Sequence, residues 1–431
     1  MAPADLATPR GDFERLVSAL AGQWPDAELT PSLAADGHVL AALQSALAAD
    51  GGQVTVAVRD GRRVVAIWPG LRTQILGLAV DIGSTTLSAH LVDLATGEIQ
   101  ASAGMMNPQI RFGEDVMSRV SYVQMNAEGQ EALTQAIRQA VAALAREVAV
   151  GAGIGAGVGA GDVLDLVVVG NPVMHHLFFG FDPRPLGTAP FALVTDGALT
   201  WPASDLDLPL HPGARVYALP CIAGHVGADT AAVILAEAPD QADQVTLIVD
   251  VGTNAELVLG DRRLLAASSP TGPAFEGAQI SGGQRAAPGA IERVRIDRAT
   301  GRPRFKVIGC PLWSDAPGFA AATAGTGVTG ICGSGIVEAI AEMYLAGLLT
   351  ADGIIDGRQA ERAAGIVAEG RTFSFRLSET VTVTQNDVRA IQLAKAALYA
   401  GARLLMDALA VTRVERIVLA GAFGSQIDPL Y

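Results

Sequence analysis

The chain has 431 residues, half of them hydrophobic, and a formal net charge of −14. That length predicts two or three domains with an ample core. The acidic balance excludes non-specific nucleic-acid binding, which needs a basic footprint. No stretch offers the roughly 18 consecutive apolar residues of a membrane span, and the first residues, MAPADLATPRGDFERL, lack the apolar centre of a signal peptide. Cys221, Cys310 and Cys332 are far apart and include no CxxC pair. They suit neither a disulfide framework nor a four-ligand zinc or iron–sulfur site, and are read as reduced thiols of a cytoplasmic protein.

Residues 1–74 are expected to form a small α+β domain. Phe13, Leu16, Val17 and Leu20 fall at helical spacing, and Leu33, Val39, Leu40, Leu43 and Leu47 suggest a second helix. QVTVAVRDGRRVVAIW then alternates on both sides of Asp60-Gly61, a hairpin signal because Asp-Gly accepts positive φ angles. From Ile75 onward the pattern predicts strands at 76–81, 86–93 and 98–103, and helices near 114–125 and 129–150. A Gly/Ala tract at 150–161 reads as a flexible loop. The apolar run 163–169 reads as a buried parallel strand leading into a helix that carries His175 and His176. Adjacent positions on a helix do not share a face, which argues against a two-histidine metal site. A helix begins near Gly224 and carries Asp229, a candidate to position a water molecule.

Two stretches organise the chain. LAVDIGSTTLSAHLVD, residues 78–93, delivers Asp81 at a strand end, followed by Gly83, Ser84, Thr85 and Thr86. LIVDVGTNAELVLGD, residues 247–261, repeats the plan with Asp250, then Gly252, Thr253 and Asn254. Glycine removes the Cβ where a phosphate approaches, and backbone N–H groups with hydroxyls supply donors. A carboxylate at each strand end, Asp81 and Asp250, suits Mg²⁺ held through water. The recurrence predicts two α/β subdomains of like plan, about 75–243 and 244–431, with a ligand cleft between them. The expected ligand is a nucleoside triphosphate.

Further along, Gly421, Ala422, Phe423 and Gly424 follow an apolar strand, and small residues there suit an adenosine lying against the backbone. Gln392 and Lys395 share a helix face and are expected to reach the ribose or adenine. Glu276 is expected to accept from ribose hydroxyls. Gly333 and Ser334 open a helix whose first N–H groups attract anions.

With these motifs in place the chain resembles the acetate and sugar kinase/Hsc70/actin ATPase superfamily. Asp81–Thr86 and Asp250–Asn254 look like its two phosphate loops, and Gly421–Gly424 like its adenosine loop. The fold class expected is therefore α/β, with duplicated ribonuclease-H-like subdomains preceded by a small α+β domain.

Within the superfamily the chain is most similar to the reductive activators of corrinoid proteins. The stretches that carry this are GNPVMHHL, GHVGADT, DVGTNAE, SSPTGPAFEGAQISGG, GTGVTGICGSGI and the 385–401 helix leading to AGAFGS. The resemblance implies an ATPase that supports a methyltransferase system by helping reduce cobalt(II) corrinoid to cobalt(I). It further implies a corrinoid protein or corrinoid methyltransferase as partner, a ferredoxin module as electron donor, and plausible homodimers. Asp250 or Asp229 would orient the attacking water. Ser268 and Ser269 would face the partner. Residues 1–74 look like the small middle domain of these activators. Their usual [2Fe–2S] ferredoxin domain has no cysteines here to build it, and Tyr431 falls soon after the adenosine loop; both suggest a fragment. Two other readings of the same superfamily are a small-molecule kinase and an ATPase like the activators of radical dehydratases.

Overall fold

The computed structural model describes residues 9–25, 33–151, 159–252, 254–424 and 426–428. Thr253, most of the Gly/Ala tract and the side chain of Ala422 lie outside the described part. The chain divides into two compact units, residues 1–232 and 233–431.

In the first unit, α1 (Asp12–Gln23) and α2 (Gly37–Ala49) flank a three-stranded sheet of β1 (Ala34–Ala35), β2 (Val54–Arg59) and β3 (Arg63–Pro69). Leu16, Leu20, Val39, Leu43 and Val64 form its core. The hairpin turns as its sequence predicts: Asp60 and Gly61 adopt φ of 52° and 64°, and the Arg62 N–H donates to the Arg59 carbonyl. The small domain is seated on the rest of the unit by ion pairs Arg59–Asp165 (2.8 Å), Arg72–Asp162 (2.8 Å) and Arg215–Asp36 (3.3 Å). Gly213 permits the closest approach: a Cβ there would stand 1.9 Å from the Val65 carbonyl oxygen.

The main sheet of this unit contains β4 (Leu76–Ile82), β5 (Thr86–Asp93), β6 (Ile99–Met106), β7 (Val163–Gly170), β8 (Leu199–Pro202) and β9 (Arg215–Ala218). Their spatial order is β6-β5-β4-β7-β9-β8. Strand alternation puts Leu87, Ala89 and Leu91 of β5 on the buried face. Between the strands run α3 (Val116–Met125), α4 (Gly129–Gly151), α5 (Pro172–Phe179) and, after β9, α6 (Ala228–Glu237). The stripe Leu133, Ile137, Val141, Leu144 and Val148 of α4 packs into the same core as β5.

The second unit is built on β10 (Thr246–Val251), β11 (Ala255–Gly260), β12 (Leu264–Ser269) and β19 (Arg416–Ala420), in the order β12-β11-β10-β19. It also holds a sheet of β13 (Ala290–Ile296), β14 (Pro303–Val307) and β15 (Gly330–Ile331), and another of β16 (Ile366–Glu369), β17 (Thr372–Arg376) and β18 (Thr382–Val383). Its helices are α7 (Phe319–Ala322), α8 (Gly333–Leu345), α9 (Gln385–Leu409) and α10 (Gly421–Gly424). A reciprocal cap starts α9: Asp387 N–H donates to the Thr384 hydroxyl, and Thr384 N–H to the Asp387 carboxylate. Helix α9 buries Val388, Ile391, Ala394 and Leu405 in the core.

The duplication is visible in the pairing. β4 lies antiparallel to β5 and parallel to β7, and β10 lies antiparallel to β11 and parallel to β19. Asp81 stands opposite Val169, and Asp250 opposite Ala420, each one step before the end of the parallel pairing or at its last pair. The two halves repeat one plan, a duplicated actin-like α/β fold.

Candidate phosphate and nucleotide site

In the first unit Asp81 is exposed at the end of β4 and Gly83 starts the turn. The turn is tight: a Cβ on Gly83 would stand 2.5 Å from the Thr86 carbonyl oxygen. Three successive carbonyls are held from behind. Asn107 donates from its side-chain amide to the Gly83 carbonyl (2.8 Å) and from its backbone N–H to the Thr85 carbonyl (2.9 Å). Between them the guanidinium of Arg119 donates to the Ser84 carbonyl. In a planar trans peptide the C=O and the following N–H point in opposite directions. The N–H groups of Ser84 and Thr85 therefore point away from Asn107 and Arg119, an orientation that suits an anion.

Asp229, second residue of α6, accepts from the Thr230 N–H (2.7 Å). A Cβ on the nearby Gly227 would meet Asp229 Oδ1 at 2.7 Å and the Gly170 carbonyl at 2.5 Å. Gly170 is paired with Ile82, next to Asp81. The first unit thus gathers Asp229 and the first turn at the C-terminal ends of the central strands β4 and β7.

In the second unit the corresponding turn is held in the same manner. The Thr271 hydroxyl donates to the Gly252 carbonyl (3.1 Å), and the Gly252 N–H donates to the Asn254 carbonyl (3.0 Å). Gly252 and Gly83 each follow their aspartate by two positions, and each has its carbonyl fixed by a side chain from beyond the next strands. Burial pushes the Asp250 carboxyl above its ordinary pKa. A half-buried carboxylate with no ion pair to a basic side chain among the described residues is the environment in which a hydrated cation restores the charged form, so Asp250 fits a role toward Mg²⁺. Opposite it on β11, Glu256 is half-buried and accepts from the Ser268 hydroxyl at 3.1 Å.

Gly421 adopts φ 79° at the start of α10, directly beside Asp250. Phe423 stacks on Phe275 with ring centroids 6.0 Å apart and planes 24° from parallel. A Cβ on Gly333 would meet the Phe275 carbonyl at 1.7 Å and the Phe423 ring at 2.6 Å. The Gly421 turn, the start of α8 and the turn that carries Glu276 are thereby brought together.

Other expected residues are placed differently. The Ser334 hydroxyl is nearly buried and donates to the Glu292 carbonyl (3.2 Å), so the start of α8 is packed against β13. Gln392 accepts from Arg389 (2.6 Å), and its amide reaches toward the Asp352 carbonyl (3.4 Å), facing the 352–353 loop. Lys395 is exposed.

Ser269 corrects an expectation. It is 4% exposed, and its hydroxyl donates to the Ala397 carbonyl of α9 at 2.7 Å. Neighbouring residues of a strand point to opposite faces, so Ser268 and Ser269 cannot both face a partner, and Ser269 faces the core. His175 and His176 are both buried among Phe179 and Phe181. His176 is fixed between the Pro172 carbonyl (2.8 Å) and the Val194 N–H (3.0 Å). No group of three or more metal-ligating side chains occurs among the described residues. The three thiols are buried and unpaired with one another. Among the described residues no helix is long and apolar enough to cross a membrane.

Sequence reasoning missed Asn107, Arg119 and Thr271. Asn107 carries a weak signal, an Asn-Pro step directly after a strand. Arg119 reads as a surface charge of an ordinary helix.

Comparison with known families decides the grouping. A model described as the C-terminal domain of RACo, the ASKHA domain, matches residues 244–431; RACo middle-region and linker-region models match residues 76–241 and 1–74. The chain belongs to the RACo family. In RACo terms residues 1–74 are the linker region, and the middle region is the half that carries the first turn. A corrinoid activation enzyme, RamQ, from Eubacterium limosum is 33% identical over 388 residues, covering 86% of this chain and 61% of that protein. A [Co(II) methylated amine-specific corrinoid protein] reductase from Methanosarcina barkeri is 28% identical over 299 residues, 63% of this chain and 51% of its own length. The solved structure of a reductive activator for corrinoid, iron-sulfur protein superposes with TM-score 0.79 at 31% identity, covering 98% of this chain and 66% of that one. This RACo-family chain therefore spans between half and two thirds of these relatives.

Proposed function

We propose that this chain is the ATP-hydrolysing part of a reductive activator that helps convert a cobalt(II) corrinoid protein to cobalt(I) for a methyltransferase system. The observation that carries the reading is the likeness to relatives named as corrinoid activators along 86% and 98% of the chain. The braced turns at Gly83 and Gly252 support the ATPase part of it.

In this reading the backbone N–H groups of Ser84 and Thr85, with the Thr86 hydroxyl, hold phosphate oxygens. Gly252, Thr253 and Asn254 do the same from the second turn, and the start of α8 at Gly333 and Ser334 adds N–H groups. Adenosine lies against Gly421–Gly424, with Glu276 and Lys395 toward the ribose and base. Asp81 and Asp250 would hold Mg²⁺ through water, and the ion would supply neutralisation of phosphate charge. Asp250 or Asp229 orients the water that attacks the terminal phosphorus, giving ADP and phosphate.

The electron comes from a separate donor, a ferredoxin module with a [2Fe–2S] cluster, and one electron reduces each cobalt(II). Hydrolysis drives the cycle only if the nucleotide states differ in affinity for the corrinoid protein. Ser268 is the remaining serine proposed to face that partner. The active assembly is proposed to be a homodimer.

The test mixes the purified protein, ATP, a reduced ferredoxin and a cobalt(II) corrinoid protein, and follows the visible spectrum. ATP-dependent appearance of cobalt(I) is expected. Absence of any ATP effect on cobalt reduction sinks the proposal.

A further inference from the structure

Arg119 is an arginine of α3 with no exposed surface. Each of its three guanidinium nitrogens is engaged, and each by neutral groups. They reach the Ser84 carbonyl, the Gly113 carbonyl (3.0 Å), the Gln109 side-chain oxygen (3.3 Å) and the Met174 sulfur (3.2 Å). Gln109 and Asn107 are themselves buried, and Gln109 is fixed by the Asn107 side chain and the Leu133 carbonyl. No ion pair of Arg119 with a carboxylate occurs among the described residues; Asp115, the nearest acidic influence, spends its oxygen capping the Ser118 N–H.

A buried guanidinium held only by neutral partners is costly to maintain. Burial lowers its pKa to about 10, which still leaves it charged at neutral pH. If shape alone were needed, a long apolar side chain would fill the same space at less cost. The one carbonyl it takes from a functional segment is that of Ser84, in the middle of the first turn. A positive charge directly behind that peptide favours an anion in front of it. The charge also fixes the peptide in the direction that aims N–H groups forward.

We infer that Arg119 is a positioning residue for the phosphates: its buried charge, acting through the Ser84 peptide, makes the first turn a polyphosphate site. This rests on the ATPase reading and adds a residue to it. The arginine never touches the nucleotide. Its charge is balanced when the nucleotide binds and is uncompensated when the turn is empty.

The test uses the full chain with Arg119→Met, Arg119→Gln and Arg119→Lys. Two quantities are measured: the melting temperature without nucleotide, and the dissociation constant of Mg-ATP by calorimetry. The neutral variants are expected to melt within a few degrees of the parent and to bind ATP at least tenfold more weakly. Lysine, which keeps the charge, is expected to recover most of that loss. ATP affinity equal to the parent in either folded neutral variant overturns the inference. So does failure of both neutral variants to fold, because the arginine would then serve the fold itself. If the parent chain binds no ATP, the ATPase reading fails instead, and the variants are not needed to see it.

Discussion

The carboxylate of Asp250 lies against Gly421, so close that a methyl group on that glycine would stand 2.2 Å from Oδ1. One residue is the last but one of β10 and the other follows β19, its parallel neighbour, so the sheet itself sets them side by side. The turn after Asp250 and the turn at Gly421 are therefore one piece of structure. Gly421→Ala meets both that contact and a φ of 79°. It is expected to destabilise the chain by about 1–3 kcal/mol in urea unfolding and to lower ATP turnover with it.

Asp250→Asn separates the carboxylate's charge from its shape. Turnover is expected to fall by at least about a hundredfold, as when a group that aligns the nucleophile is lost. Urea stability should hold or rise. The reason is linkage: the folded pKa is raised by burial, so the folded state binds more protons and stability declines as pH rises above the unfolded value of about 3.9. The asparagine variant should lose that component of the decline. Unchanged ATP turnover would show that the second turn is misassigned.

Thr271→Val removes the hydroxyl that holds the Gly252 carbonyl and keeps the side chain's shape. A cost of about 1–2 kcal/mol is expected for the lost bond. The KM for ATP should rise more than kcat falls, since the turn loses direction and the chemistry keeps its groups. Steady-state kinetics beside a thermal melt would read both.

His175 predicts an acid-side loss. Both of its ring nitrogens are buried without a hydrogen-bond partner, and burial lowers its pKa to about 4. A histidine depressed below its ordinary 6.5 resists protonation in the folded state. Stability is then full above about pH 6.5 and falls as pH drops from there toward 4. His175→Phe, among Phe179 and Phe181, should flatten that slope in urea melts at pH 4.5 and 7.

Much of this was legible in the sequence. The strand–turn–strand echo of Asp81 and Asp250 marked both sheets, because the recurrence of an apolar run ending in Asp-x-Gly sets it apart from an ordinary tight turn. The Asp60-Gly61 hairpin and the long helices followed from local chemistry. The supports of the turns were not legible. Asn107, Arg119 and Thr271 act across 24, 35 and 19 positions of sequence, and no local pattern reports which carbonyl a distant donor will reach. Ser269 was misread for the same kind of reason: its tie to Ala397 depends on how α9 crosses β12.

The contact of Gly213 with the Val65 carbonyl leaves no gap for even one added carbon. Together with the three ion pairs beside it, this locks residues 33–74 to the sheet that carries the first turn. Any tilt of that sheet then swings the small domain through the same angle, and atoms farther from the pivot travel a longer arc. The linker region is thus a pointer fixed to the middle region, and a distance label placed on it would read out movements too small to detect at the turn.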